Sequence, residues 1–198
     1  MVVDKKTALE IITKYMDPSA ILISSTGLIG RQAYALKKEN HFYMAGSLGL
    51  ASSIGLGLAL TTKRKIFVVE GDGALLLNLG GMATIGCYKP SNLVHIVLDN
   101  RAYESSSIYY SHSEYIDFCK LASAGGYEYV AEVSSERKLI REIKKMNNLD
   151  KLAFLKVRTG FFKDRNLPRP SLDELRELKK LGIMEDLKHL SSGIIFNI

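Results

Sequence analysis

The sequence predicts one α/β domain in three layers, a mostly parallel sheet with helices on both faces. Three observations predict it. The runs AILIS (20–24), IFVVE (66–70) and LVHIVL (93–98) are almost continuously apolar, as strands covered on both faces are. Helix-like stretches separate these runs, and strand–helix alternation builds parallel sheets. The chain has 198 residues, 46% of them hydrophobic, which is enough for one domain with a real core. Residues 1–198 are therefore read as a single domain.

In chain order, 4–16 is an amphipathic helix with Ala8, Ile11, Ile12 and Tyr15 on one face. Residues 20–24 form a short buried strand, 30–38 a helix and 47–60 another. A strand at 66–70 leads into a helix at 75–87, which ends at the Tyr88-Lys89-Pro90-Ser91 turn. A strand at 93–98 follows, then a helix at 113–124 stopped by Gly125-Gly126. Strand 127–133, helix 135–146 and strand 152–157 complete the alternation. Leu167-Pro168-Arg169-Pro170 reads as a rigid connector, and 171–198 as a closing helix (171–190) and tail.

The net charge of +6 is uneven: residues 137–189 hold 15 Lys/Arg and 8 Asp/Glu. Acids are interleaved with these bases in helix-like patterns, and no nucleic-acid-binding motif accompanies them, so nucleic acid is not expected as a partner. Residues 42–62 carry no charge and match a membrane span in length. Their many Gly and Ser residues read instead as a helix packed close to a sheet, and no membrane partner is expected. Cys87 and Cys119 are too few for a disulfide framework. They read as inert core thiols in a reducing cytoplasm, and no signal peptide is expected. His95 reads as a core histidine; Arg31 and Arg101 read as solvated.

Ligands of parallel sheets bind beyond the carboxyl ends of the strands. Gly71-Asp72-Gly73 lies at such an end and opens a helix, where backbone amides can approach a diphosphate. An Asp facing an anion makes sense with a divalent cation between them, and Mg²⁺ is commonly held by one or two carboxylates plus phosphates. A dinucleotide fingerprint is excluded because position 76 is Leu76, and no Gly-Lys-Ser/Thr follows for a P-loop. Asn100 ends the next strand, 28 positions after Asp72, where a neighbouring parallel strand would set its amide beside the carboxylate.

Gly71-Asp72-Gly73-Ala74 through Leu98-Asp99-Asn100 resembles the thiamine diphosphate motif. The upstream stretch from Phe42 to Leu60 is similar to sulfopyruvate and phosphonopyruvate decarboxylases, as are Lys156-Val157-Arg158-Thr159-Gly160 and the Leu167–Pro170 connector. The likeness implies the thiamine diphosphate-binding fold, specifically its diphosphate-binding domain. It implies Asp72, the Asn100 side chain and the Ala102 carbonyl as Mg²⁺ ligands. Thr26, Gly27, Gly46, Ser47, Leu48, Gly71, Gly73, Ala74 and Tyr103 become cofactor contacts, with the Gly46 carbonyl accepting from the aminopyrimidine and Leu48 as the wedge that bends the cofactor. The implied activity is decarboxylation of a small acidic 2-oxo acid. The activating Glu belongs to a pyrimidine-binding domain that this length does not accommodate. A separate alpha-type subunit is therefore expected in an oligomer, sulfopyruvate decarboxylase being split in this way. A carboligase subunit and a non-catalytic cofactor-binding scaffold are the alternatives. Where the family often runs Tyr-Gly-Ser-Thr-Gly-Gly-Gln, this chain has bulkier residues from Tyr103 to His112, with His112 a candidate for substrate or cofactor contact.

Overall fold

A computed structural model describes residues 2–36, 39–106, 108–162 and 166–168. The expected closing helix and tail lie outside the described residues. Helix α1 (Lys5–Tyr15) leads to β1 (Ile21–Ser24), α2 (Gly27–Ala35), β2 (His41–Tyr43), α3 (Ala51–Thr61) and β3 (Ile66–Gly71). Helices α4 (Asp72–Leu77) and α5 (Leu79–Tyr88) precede β4 (Leu93–Asp99). A hairpin of β5 (Ala102–Tyr103) and β6 (Tyr109–Tyr110) follows, then a 3₁₀ turn (Ser113–Tyr115), α6 (Phe118–Ala124), β7 (Tyr129–Val133), α7 (Glu136–Asn147) and β8 (Ala153–Arg158).

Six parallel strands form the main sheet in the order β2-β1-β3-β4-β8-β7. The period of two along each strand divides the core. Leu22, Phe67, Val69, Val94, Ile96 and Leu155 meet α1, α2 and α7 on one face. Ile21, Ile23, Val68, Val97 and Phe154 meet α3, α4, α5 and α6 on the other. The three-layer expectation is borne out. Helix α1 starts at Asp4, whose carboxylate accepts from the Lys6 and Thr7 amides, satisfying donors that a helix start leaves open.

The uncharged run 42–62 is shared among β2, a loop and the eleven residues of α3. Helix α3 does lie tight against the sheet: a Cβ on Gly55 would come within 2.2 Å of Val68 Cγ2. No helix among the described residues is long and apolar enough to cross a membrane.

Several expected boundaries are corrected. Strand β2 was not expected, because three residues at a sheet edge carry too little periodicity to show. Helix α2 begins at Gly27, not at 30, and α3 at Ala51, not at 47. The helix expected over 75–87 is two helices, broken at Asn78. The helix expected from 113 is a 3₁₀ turn, with α6 starting only at Phe118. Cys87 is exposed rather than a core thiol, while Cys119 is half-buried and its thiol is pushed up to about 11 by burial.

His95 is a satisfied core histidine, as expected, but its partners were not foreseen. Its Nε2 lies 2.6 Å from Glu70 Oε1 and its Nδ1 lies 2.9 Å from the Tyr127 hydroxyl. A carboxylate only accepts, so a neutral ring donates from Nε2 to Glu70 and accepts from Tyr127 at Nδ1. Burial first, and then the Glu70 charge, raise the Tyr127 pKa and keep the phenol a donor. This network ties β3, β4 and the start of β7 together one residue before Gly71-Asp72.

Candidate functional site

The register of β3 and β4 sets Gly71 opposite Leu98, so Asp72 and Asn100 leave the sheet side by side. The Asn100 backbone amide is among the groups that favour the ionised form of the Asp72 carboxylate. Asp72 is 1% exposed. Burial raises its pKa; the Ser111 hydroxyl, which donates to Oδ2, opposes that, and the like charge of Asp99 adds to it. The Lys5 charge also favours the ionised form but burial outweighs it, and a buried carboxylate raised in this way is a ready partner for a cation.

Asn100 is held as well. Its Oδ1 accepts from the Ala102 amide at 3.2 Å and its Nδ2 donates to Glu104 at 2.9 Å. A carbonyl oxygen has two lone pairs, so Oδ1 retains one for a metal. Among the described residues no cluster of three or more His, Cys, Asp or Glu suited to a metal is gathered. A cation at Asp72 would thus complete its shell from amide, carbonyl and ligand oxygens, in the manner of Mg²⁺. Asp99, one residue before Asn100, is occupied elsewhere. It accepts from the Ser113 hydroxyl at 2.7 Å and the Arg101 amide at 3.1 Å, with Lys156 at 3.5 Å.

A small cavity of about 50 Å³, open to solvent on one side, lies over this corner. Of the residues singled out from the sequence, Thr26, Leu48, Gly71, Asp72, Gly73, Ala74, Ala102 and Tyr103 line it. Gly27, Gly46, Ser47 and Asn100 border these residues in the chain but are not part of the lining. Gly46 and Ser47 are exposed, and Leu48 is 41% exposed. Gly73 is required by close approach, since a Cβ there would lie 2.5 Å from the Tyr103 ring. His112 is exposed and outside the lining, and Arg101 is paired with Glu114 at 3.6 Å.

The expected Leu48 loop is anchored by a residue the sequence reading passed over. Asn78, at the break between α4 and α5, donates from Nδ2 to the Gly49 carbonyl at 2.9 Å and to Ser53 Oγ at 3.2 Å. Gly49 has φ +93°, and a Cβ there would meet the Ala74 carbonyl at 3.1 Å. The loop is thus fitted onto the first turn of α4. Asn78→Ala is expected to cost about 1–3 kcal/mol by leaving the partly buried Gly49 carbonyl without its donor. Denaturant unfolding, together with faster hydrogen exchange at the Leu50 amide, checks this.

Strain concentrates around the cavity. Of the non-glycine residues with positive φ among the described residues, Ser47, Arg101, Ile108 and His112 lie in loops that border the site, and Lys89 is a helix cap. Such conformations cost of order 1–3 kcal/mol each and cluster at functional sites. The lining residues that the sequence did not single out include Lys5 from α1, Glu104 beyond β5, and Phe162 beyond β8.

The comparisons with known proteins agree with this geometry. Residues 23–157 match the family described as thiamine pyrophosphate enzyme, C-terminal TPP binding domain. The chain is 37% identical over 131 residues to the sulfopyruvate decarboxylase subunit beta of Methanothermobacter thermautotrophicus, covering 66% of this chain and 70% of that one. It is 41% identical over 124 residues to a phosphonopyruvate decarboxylase of Streptomyces hygroscopicus, covering 62% of this chain but only 31% of the relative. The chain thus spans about a third of the phosphonopyruvate decarboxylases it matches. In fold it resembles the thiamine diphosphate-dependent 4-hydroxybenzoylformate decarboxylase of Rhodococcus jostii, with a TM-score of 0.69, 18% identity, and coverage of 82% of this chain and 34% of the other. A putative thiamin diphosphate-dependent enzyme of Mycobacterium smegmatis gives a TM-score of 0.64 at 19% identity, covering 80% and 32%. With its Gly71-Asp72-Gly73 turn and Asn100 set side by side at the sheet end, and more than half its length matching, the chain belongs to the thiamine pyrophosphate enzymes, as a C-terminal TPP-binding domain.

Proposed function

We propose that this chain is the diphosphate-binding subunit of a thiamine diphosphate- and Mg²⁺-dependent decarboxylase of a small acidic 2-oxo acid. A separate pyrimidine-binding subunit completes its active site. The observation that carries the reading is the buried Asp72, which lines a cavity and is set beside Asn100 by the register of β3 and β4. Bound thiamine diphosphate supplies the carbanion stabilisation that lets a 2-oxo acid lose CO₂. Asp72, Asn100 and the Ala102 carbonyl hold the metal. Gly71, Gly73 and Ala74 let their backbone come close to the diphosphate, and Tyr103, Thr26 and Gly27 wall it. Leu48 presses on the cofactor from the exposed loop, next to the Gly46 carbonyl and Ser47.

Two observations support a divided site. The carboxylates lining the cavity, Asp72 and Glu104, are both engaged within this chain, so neither serves as the activating Glu. Leu48 is exposed on the cavity lining, and Leu50 in the same loop, Leu77 at the end of α4 and Tyr109 and Tyr110 on β6 are exposed as well, apolar surface that a partner chain would cover. Relatives named as beta subunits support the same arrangement. The names of the relatives favour sulfopyruvate or phosphonopyruvate as substrate, and two free cysteines suit a cytoplasmic setting.

The test is co-purification with a partner of the pyrimidine-binding type, followed by CO₂ release from sulfopyruvate, phosphonopyruvate and pyruvate. Turnover by the pair and none by either chain alone is expected. Turnover by this chain alone would overturn the divided site. Mg²⁺-dependent cofactor binding by the pair, without CO₂ from any 2-oxo acid, would favour the scaffold reading and count against the hairpin of β5 and β6 as a decarboxylase loop.

A further inference from the structure

Lys5 is tied into the cavity from a distant part of the chain. It opens α1, yet only 4% of it is exposed. Its Nζ donates to Glu104 Oε2 at 3.2 Å and lies 5.8 Å from the centre of the Phe162 ring. An ammonium has three donors. Among the described residues Glu104 is the one acceptor that Lys5 Nζ meets, which leaves two donors without a partner there. Burying a charge this way is costly unless its hydrogen bonds are completed. The unspent donors border the cavity that Asp72, Gly73 and Ala74 line.

Glu104 accounts for where Lys5 sits. It accepts from Lys5 and from Asn100 Nδ2, and its other oxygen accepts from the Phe162 amide. One carboxylate thus joins α1, the loop of Asn100 and the segment beyond β8. It holds the ammonium in place but uses only one of its donors. The remaining capacity suits an anion with several oxygens, because charge-assisted hydrogen bonds to such groups are the strong ones.

We infer that Lys5 is a direct ligand of the diphosphate, an assignment that rests on the cofactor reading above and adds to it a cationic side chain from the opposite layer of the domain. Asp72 and Asn100 would hold the metal, and Lys5 would hydrogen-bond to phosphate oxygens from the other side of the cavity. Thiamine monophosphate has one phosphate fewer and cannot satisfy both. Lys5 therefore contributes to the preference for diphosphate over monophosphate.

Calorimetry on the full chain in complex with its partner, at fixed Mg²⁺, tests this with thiamine diphosphate and thiamine monophosphate as probes. Lys5→Met alone strands Glu104 in the interior, so the decisive comparison is Glu104→Gln against Lys5→Met/Glu104→Gln, with folding checked by thermal unfolding. The Gln amide oxygen still accepts one hydrogen bond. Glu104→Gln is the reference for the double variant, because any loss from Asn100 or the Phe162 amide is common to both, and it is expected to keep Mg²⁺-dependent binding of thiamine diphosphate. The double variant is expected to bind it about 10- to 100-fold more weakly, with monophosphate affinity within about threefold. Lys5→Arg is expected to recover most of the loss. Equal affinity of the single and the double variant for thiamine diphosphate, or an equal drop for both probes, would overturn the inference. No Mg²⁺-dependent binding by wild type would overturn the cofactor reading and this inference with it.

Discussion

Asp72→Asn is expected to abolish the stabilisation that Mg²⁺ and thiamine diphosphate confer, while leaving the ligand-free chain at least as stable as wild type. The two halves have one cause. Asp72 is buried, and its pKa is raised first by desolvation and further by Asp99. In the ligand-free chain the ionised carboxylate is therefore a cost. Asn keeps the shape and can still accept from Ser111, so removing the charge relieves that cost. On the proposed ligand set, the metal would lose its one protein carboxylate and keep two neutral oxygens, those of Asn100 and Ala102. A loss of at least about 100-fold in cofactor affinity is about 2.7 kcal/mol. Wild type in cofactor at a hundred times its Kd gains about that much stability, which for a chain of this size is a Tm increase on the order of 5–10 °C. Thermal unfolding with and without Mg²⁺ and cofactor reads both effects. An unchanged ligand-induced shift in Asp72→Asn would remove Asp72 from the metal site.

The distinction between what the sequence reveals and what it conceals follows the range of the interactions. The central strands were readable because burial on both faces forces an apolar run, as in Leu93–Asp99, and that demand is local. Asp72 and Asn100 were readable because two strand ends in a parallel sheet, one after another in the chain, converge wherever the strands pair in register. The first turn of α4 was not, because Gly-Asp-Gly has poor helix propensity and its helical form is imposed by packing against Tyr103 and Gly49. Asn78 breaks a continuous helical pattern for a reason that lies in the Gly49 loop, 29 residues away. Lys5 and Glu104 are 99 residues apart, and Ser111 and Asp72 are 39 apart. No periodicity links such pairs. Lys5 in particular reads as an ordinary polar residue at the start of an amphipathic helix. The parallel pairing of Val3 with Thr159, just beyond the carboxyl end of β8, brings that end of α1 to the cavity, which Lys5 lines.

Gly86→Ala is expected to destabilise the fold by roughly 3 kcal/mol or more, against the normal effect of the substitution. In a helix interior Ala is favoured over Gly by about 1 kcal/mol. Gly86 lies in α5, where a Cβ would fall 1.4 Å from the Gly125 carbonyl oxygen and 2.6 Å from its carbon. These are backbone atoms, so no rotamer change relieves the clash, and either α5 or the turn after α6 must move. That turn has little freedom. Gly126 has φ +95°, a conformation costly for other residues, and the Tyr127 amide is bonded to the Ala122 carbonyl at 3.0 Å. Displacing the turn also pulls Tyr127 from His95, and through His95 it disturbs Glu70, one residue from Gly71. Overpacking of about 1–3 kcal/mol is usual where side chains can yield, and a backbone contact lies at or above the upper end. Gly80→Ala is the internal control. It sits in the same helix with nothing within 4 Å of where a Cβ would stand, so helix propensity alone acts and a gain of up to about 1 kcal/mol is expected. Denaturant unfolding of the two variants should give shifts of opposite sign. A stabilising Gly86→Ala would mean that α5 does not press on the Gly125-Gly126 turn, and that the Glu70–His95–Tyr127 network is not clamped between them.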